Sequence, residues 1–208
     1  MDLFNNQQIQ NVLPCNGVAN YHGKILSDAE IQSYFPSLLL EIPWQQDEVI
    51  LFGKLIRTAR KVAWYGDPGL TYTYAQKTKQ PRPWTASLKA LKKRVEKECG
   101  TTFNSCLLNL YQDGSEGMSW HADDEKELDP KGQIASLSLG AIRDFCFKHK
   151  DSKQKKTLLL ESGSLLVMKD GTQKHWLHSL PKRKKIKTPR INLTFRNILE
   201  NREVPNCS

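Results

Sequence analysis

Apolar positions along this chain fall into two regimes. In the first hundred residues they recur twice at helical spacing. Ile31, Tyr34, Phe35 and Leu38 form one stripe, and Ser27-Asp28-Ala29-Glu30 before it has the form of a capping box. Leu88, Leu91 and Val95 form the other, opened near Pro83-Trp84 and stopped by Cys99-Gly100. Between the two stripes, residues 48–52 and 62–65 are β-type runs, and residues 70–74 follow the turn Gly66-Asp67-Pro68-Gly69. From Phe103 onward the segments are short and strand-like. Strands are predicted over 103–111, 134–139, 144–149, 157–160, 164–168 and 190–197. Turn residues separate them at Asp113-Gly114, Gly132, Ser162-Gly163 and Asp170-Gly171. This spacing predicts a β-sandwich or jelly roll. Residues 1–24 are polar and without period, and read as an arm.

Composition narrows the class. A chain of 208 residues is the length of one domain with extensions. Its cysteines (Cys15, Cys99, Cys106, Cys146 and Cys207) are odd in number with no CxxC pair, which argues against a disulfide framework and a structural zinc site. No apolar run reaches about 18 residues, so no membrane span is predicted. The first residues lack the basic and apolar regions of a secretory signal. An intracellular protein is expected, in the cytoplasm of a prokaryote or the nucleus of a eukaryote. The net charge of +9 is localised: residues 141–190 hold 14 Lys+Arg against 4 Asp+Glu, and the rest of the chain is near neutral. Clustered cations of this kind predict a polyanionic partner, and nucleic acid is the usual one.

The chemistry is carried by short constellations. In His121-Ala122-Asp123, positions i and i+2 of an extended strand would set an imidazole and a carboxylate side by side. A third ligand would come from a distant histidine, with His175 and His178 as candidates. Two histidines and a carboxylate on one face of a metal leave adjacent positions open, the arrangement of non-haem Fe(II) oxygenases. In residues 190–196, alternation puts Arg190, Asn192, Thr194 and Arg196 on one face and Ile191, Leu193 and Phe195 on the other. Two guanidiniums turned inward need anionic partners, and a dicarboxylate satisfies both. Asn109 and Tyr111 share a face by the same logic.

Asn109-x-Tyr111, His121-x-Asp123, His178 and Arg190-x-Asn192-x-Thr194-x-Arg196 together resemble the AlkB family of Fe(II)- and 2-oxoglutarate-dependent dioxygenases. The resemblance spans roughly residues 48–200 and is greatest to the DNA-dealkylating members. It implies an α+β, mainly β fold: a double-stranded β-helix (jelly roll) with N-terminal helices and a substrate-recognition lid. The implied organisation is an arm at 1–24, helices and lid at 25–102, a dioxygenase core at 103–200 and a tail at 201–208. It implies iron ligands His121, Asp123 and His178. It also implies a 2-oxoglutarate site of Asn109, Tyr111, Arg190, Asn192, Thr194 and Arg196, with Arg190 and Tyr111 on the distal carboxylate.

The resemblance further implies Fe(II), with 2-oxoglutarate and O2 as co-substrates, and oxidative removal of methyl groups from 1-methyladenine and 3-methylcytosine in DNA. The target base must leave the helix stack to be reached. Tyr74 would stack on it, Tyr72 would make a polar contact, and Asp124 and Glu125 would meet its exocyclic group. Phe52 resembles the wedge that fills the gap in a duplex. Arg57, Arg60 and Lys61, with the basic segments 148–156 and 182–187, would hold phosphates. A monomer acting on duplex or single-stranded DNA is expected, away from membranes. The alternatives are the same chemistry on RNA or protein, or a catalytically silent nucleic-acid-binding module.

Overall fold

A computed structural model describes residues 9–51, 54–74 and 77–199, with the side chains of residues 47–51, 54–56, 72–74 and 77–79 outside the description. Strands β1 (Gln10–Asn11) and β2 (Val18–Lys24) precede helix α1 (Asp28–Glu41). Then follow β3 (Gln45–Leu51), β4 (Lys54–Gly66), β5 (Tyr72–Tyr74), β6 (Lys77–Lys79) and helix α2 (Ala86–Cys99). The remainder comprises β7 (Ser105–Tyr111), β8 (Met118–His121), β9 (Ile134–Gly140), β10 (Arg143–His149), β11 (Lys155–Leu160) and β12 (Ser164–Lys169). A single-turn helix α3 (Thr172–His175) leads into β13 (Trp176–Leu180), and β14 (Arg190–Arg196) follows.

Both long helices start and stop where their end chemistry demands. The Ser27 side chain accepts from the Glu30 N–H while Glu30 Oε2 accepts from the Ser27 N–H, closing the capping box. Thr85 caps α2 by accepting from the Leu88 N–H, and Gly100 ends it in the left-handed conformation at φ 65°.

The strands make two antiparallel sheets. The larger has the order β1-β2-β12-β9-β14-β7-β4-β3, and the smaller β11-β10-β13-β8. A separate ribbon pairs β5 with β6. Central strands of the larger sheet are buried on both faces. Leu108, Leu137, Leu193 and Phe195 pack on one side with Leu88, Leu91, Val95 and Leu38 of the helices. On the other side, Tyr111, Ile134, Leu166 and Met168 meet Phe145, Phe147, Leu160 and Trp176 of the smaller sheet. Each such side chain contributes about 1.5–3 kcal/mol of burial. The space between the sheets is the lumen of a jelly roll. Among the described residues, no helix is long and apolar enough to cross a membrane.

Three expectations are corrected. Residues 18–24, expected within an arm, are strand β2, which pairs along β12 from Val18↔Lys169 to Lys24↔Ser164. Its alternation is masked because only Ala19 and Gly23 are fully buried. Asp123 lies two residues beyond the end of β8 and so is not carried by strand alternation. The strand expected over 70–74 is confined to Tyr72–Tyr74, with Leu70 buried instead beside Leu128 and Ile198.

Candidate metal and co-substrate site

Strands β8 and β13 pair so that His121 stands opposite His178, and β10 adds Phe147 opposite His178 on its other side. The two imidazole rings lie 4.2 Å apart at 62°. Phe145 stacks on the His178 ring at 5.4 Å. Asp123 reaches the same place from the loop after β8, with Oδ1 at 3.9 Å from His121 Nε2. Ligand atoms of His121, Asp123 and His178 all lie within 4.8 Å of one another.

Protonation states suit a cation. His121 Nδ1 sits 2.7 Å from the Ser119 carbonyl; with the proton there, the Nε2 lone pair faces Asp123 and His178. Burial, opposed by Asp123, lowers the His178 ring to about 4, so it is neutral at pH 7. Burial pushes the Asp123 carboxyl up, but Arg196, His178 and His121 together outweigh it and hold it below its ordinary value. Arg196 Nη1 lies 3.8 Å from Asp123 and 3.7 Å from Glu125.

Register places the remaining polar groups. In β14, Arg190 pairs with Tyr111, and Asn192 pairs with Asn109, both on β7. Arg190 is 2% exposed and Arg196 9%, so this is not an edge strand with its arginines in water. Arg190 Nη2 donates to Ser138 Oγ at 2.9 Å and to Asn192 Oδ1 at 2.8 Å. Asn192 Nδ2 donates to Thr194 Oγ1 at 2.8 Å, and Ser136 Oγ donates to Asn192 Oδ1. The Arg190 guanidinium lies 5.6 Å from the Tyr111 ring centre. Burial pushes the Tyr111 hydroxyl up, against the pull of Arg190, Arg60 and Arg143, so it remains a donor. Among the described residues, Arg190 Nε and His178 Nδ1 are buried without a hydrogen-bond partner. An anionic ligand would satisfy Arg190 Nε, and three donors at one locus suit a divalent cation.

The remaining sequence candidates divide. Arg60, expected among phosphate contacts, donates to Asn109 Oδ1 at 3.1 Å and so joins the co-substrate group. Asp124 is turned toward Lys150 at 3.9 Å, while Glu125 faces Arg196. Phe52 lies outside the described residues, as do the side chains of Tyr72 and Tyr74. His175, the rival third ligand, belongs to a second cluster with His149 and Asp151. That cluster does not suit a metal. His149 Nδ1 accepts from the backbone N–H of both Asp151 and Ser152, each at 3.2 Å. The Nδ1 lone pair is thereby engaged, and Nε2 lies 3.3 Å from Asn16 Nδ2.

Two supporting residues escaped sequence reasoning. Gln173 Oε1 accepts from the Asp123 N–H at 2.9 Å. Arg143 is buried beside Tyr111. Arg143-Asp144-Phe145 belongs to the family resemblance without a role attached to Arg143, and Gln173 had no signal, since each acts through a partner far along the chain.

A jelly roll with two histidines on one sheet, a carboxylate from the adjoining loop, and a buried arginine across the same lumen defines the class of non-haem iron oxygenases that take an anionic co-substrate. Residues 17–196 match the 2OG-Fe(II) oxygenase superfamily. The mouse DNA oxidative demethylase ALKBH2 is 43% identical over 198 residues, covering 90% of this chain and 83% of that protein. The human DNA oxidative demethylase ALKBH2 is 45% identical over 186 residues, covering 84% and 71%. The human alpha-ketoglutarate-dependent dioxygenase alkB homolog 3 is 39% identical over 171 residues, covering 77% and 59%. The solved structure of OsALKBH1 shares the fold, with a TM-score of 0.62 at 16% identity, covering 91% of this chain and 99% of that one. The chain belongs to the 2OG-Fe(II) oxygenase superfamily, in its AlkB branch. Its cofactor is Fe(II), with 2-oxoglutarate and O2 as co-substrates.

Proposed function

We propose that this chain repairs alkylated DNA by oxidative demethylation of bases such as 1-methyladenine and 3-methylcytosine. The observation that carries this is the His121–Asp123–His178 cluster sharing a lumen with buried Arg190 and Arg196. The printed names of the mouse and human relatives support DNA as the substrate.

In this reading His121, Asp123 and His178 hold the iron. Arg190 binds the distal carboxylate of 2-oxoglutarate as a charged fork, with the Tyr111 hydroxyl donating beside it. Arg196 lies next to Asp123 and meets the carboxylate nearer the metal. Asn192, itself bonded to Thr194, braces Arg190, and Asn109, bonded to Arg60 Nε, lines the same 2-oxoglutarate site. Iron, 2-oxoglutarate and O2 together supply an oxidant that hydroxylates an N-methyl carbon, with CO2, succinate and finally formaldehyde as products. The wall of Phe145 and Phe147 keeps water from this locus. Asp124 and Glu125 offer carboxylates to a cationic methylated base. The exposed cations of residues 182–187 hold phosphates, which provides affinity without sequence readout. Phe52 wedges into a duplex opened by base flipping. The protein acts as a monomer wherever the cell keeps its DNA.

The deciding experiment is formaldehyde and succinate release from single- and double-stranded oligonucleotides carrying defined methyl lesions, DNA beside RNA. Turnover on methylated DNA, lost in His178→Ala with DNA binding retained, is expected. Turnover confined to RNA would move the substrate class, and no turnover on any oligonucleotide would favour a binding module.

A further inference from the structure

Arg143 opens β10 and is 1% exposed, yet its acceptors are three main-chain carbonyls. Nη1 donates to Asp113 O at 3.3 Å, and Nη2 donates to Glu116 O at 2.8 Å and Pro181 O at 2.9 Å. The carbonyls belong to two separate connections, one after β7 and one after β13. A buried guanidinium is costly to desolvate, and here Nε has no hydrogen-bond partner among the described residues. Nη2 alone bridges the two connections, and Nη1 adds a second bond to the first, so the planar guanidinium holds both with three directed donors where an ammonium is a single point charge.

The two connections are also joined directly. The Gly114 N–H donates to Ile186 O at 2.9 Å, and the Arg183 N–H donates to Gly114 O at 2.6 Å. Arg183 Nε pairs with Asp144 Oδ2 at 2.6 Å, one residue from Arg143. A Cβ on Gly114 would collide with Arg183 O, so only glycine allows this approach. The basic segment 182–187 is therefore held main chain to main chain, and is not a loose lysine loop. At the same time the Arg143 guanidinium lies 6.0 Å from the Tyr111 ring centre, on a ring that Arg190 also approaches.

We propose that Arg143 is a positioning residue: it fixes the basic segment 182–187 against the wall of the co-substrate site, so that its cations meet the DNA backbone as one preformed surface. Preorganisation of this kind removes the ordering cost that flexible lysines would otherwise carry on binding. The proposal rests on the reading above that residues 182–187 contact DNA.

The test is fluorescence-anisotropy titration of a duplex oligonucleotide by the metal-free full-length protein across a series of salt concentrations, with thermal midpoints measured alongside. The variants are Arg143→Lys, Gly114→Ala and the triple Lys182→Ala/Lys184→Ala/Lys185→Ala. Gly114→Ala displaces the segment without altering its charge and decides the matter where Arg143→Lys does not fold. Arg143→Lys and Gly114→Ala are expected to weaken binding about 3–10-fold and to flatten the slope of log K against log [salt] by about one, the value of one lost phosphate contact. Arg143→Lys added to the triple variant is expected to change little further. A simple loss of stability would lower the midpoint and leave the salt slope alone. Slopes equal to wild type in both single variants, with the triple variant weakened, would overturn the positioning role and leave the DNA-contact reading standing. A triple variant that binds like wild type would overturn that reading, and this proposal with it.

Discussion

Gln173 on the single-turn helix α3 accepts the backbone N–H of Asp123, 50 residues away, at 2.9 Å. This bond sets the carboxylate where strand geometry no longer reaches. Helix α3 is itself anchored: Thr172 Oγ1 accepts from the Val18 N–H at 2.9 Å and donates toward Lys169 O at 2.6 Å. Lys150 ties in from the far side, donating to Gln173 O at 3.0 Å. Gln173→Ala is expected to weaken Mn(II) binding, used as a stand-in for Fe(II), by about tenfold, as loss of an outer-shell partner does. The metal-free thermal midpoint should hardly move. Equal Mn(II) affinity in the variant would show that Arg196 alone holds Asp123 in place.

His178 makes metal-free stability depend on pH in a stated direction. Its folded-state ring titrates at about 4, against 6.5 for an ordinary ring, because burial disfavours the cation. Between those values the unfolded chain binds a proton that the folded chain does not. Stability from this group is therefore full above about 6.5 and falls as pH drops toward 4. Urea midpoints at pH 7 and pH 5 in chelator should show this loss in the wild type. His178→Gln should show a smaller one; equal losses would assign the dependence to other groups.

Arg190 trades stability for binding. Burial lowers its guanidinium to about 10, the sign of a charge that folding pulls from water without full compensation. Arg190→Met fills a similar volume without the charge. The metal-free variant is expected to match or exceed wild-type stability, by up to about 1 kcal/mol. The rise in melting temperature that 2-oxoglutarate produces with Mn(II) should vanish. A variant that unfolds while keeping that rise would contradict the assignment.

Strand β2 is a structural part of the larger sheet. Deleting residues 1–24 removes it, bares the backbone edge of β12 and unseats Thr172. Melting should fall by roughly 10 °C or more, since each kcal/mol moves the midpoint by about 2–4 °C at this size. An unchanged midpoint by calorimetry would return these residues to the status of an arm.

Local rules made much of this molecule legible. Ser27 and Glu30 announce α1 because a capping box is satisfied within four residues. The alternation of residues 190–196 announced a strand with one apolar and one polar face, and β14 has that form. The histidines and arginines could be singled out because His121-x-Asp123, His178 and Arg190-x-Asn192-x-Thr194-x-Arg196 together resemble one family, though each motif alone is a weak signal. β2 was missed because pairing with β12, rather than any pattern of its own, makes Val18–Lys24 a strand.

Sequence by itself determined a mainly β chain with two long helices and most of its strands, and, through the family resemblance, the jelly roll and the candidate groups for iron and a dicarboxylate, since periodicity and residue chemistry are properties of neighbours along the chain. Tertiary structure decided the rest. It grouped His178, and not His175, with His121 and Asp123, because pairing of β13 with β8 sets one imidazole opposite His121 while the other stacks near His149. It brought Arg60 to Asn109, placed Gln173 behind Asp123 and docked the Pro181 carbonyl on Arg143. Contacts of this kind arise from sheet register and loop docking between segments tens of residues apart, and no local pattern encodes them.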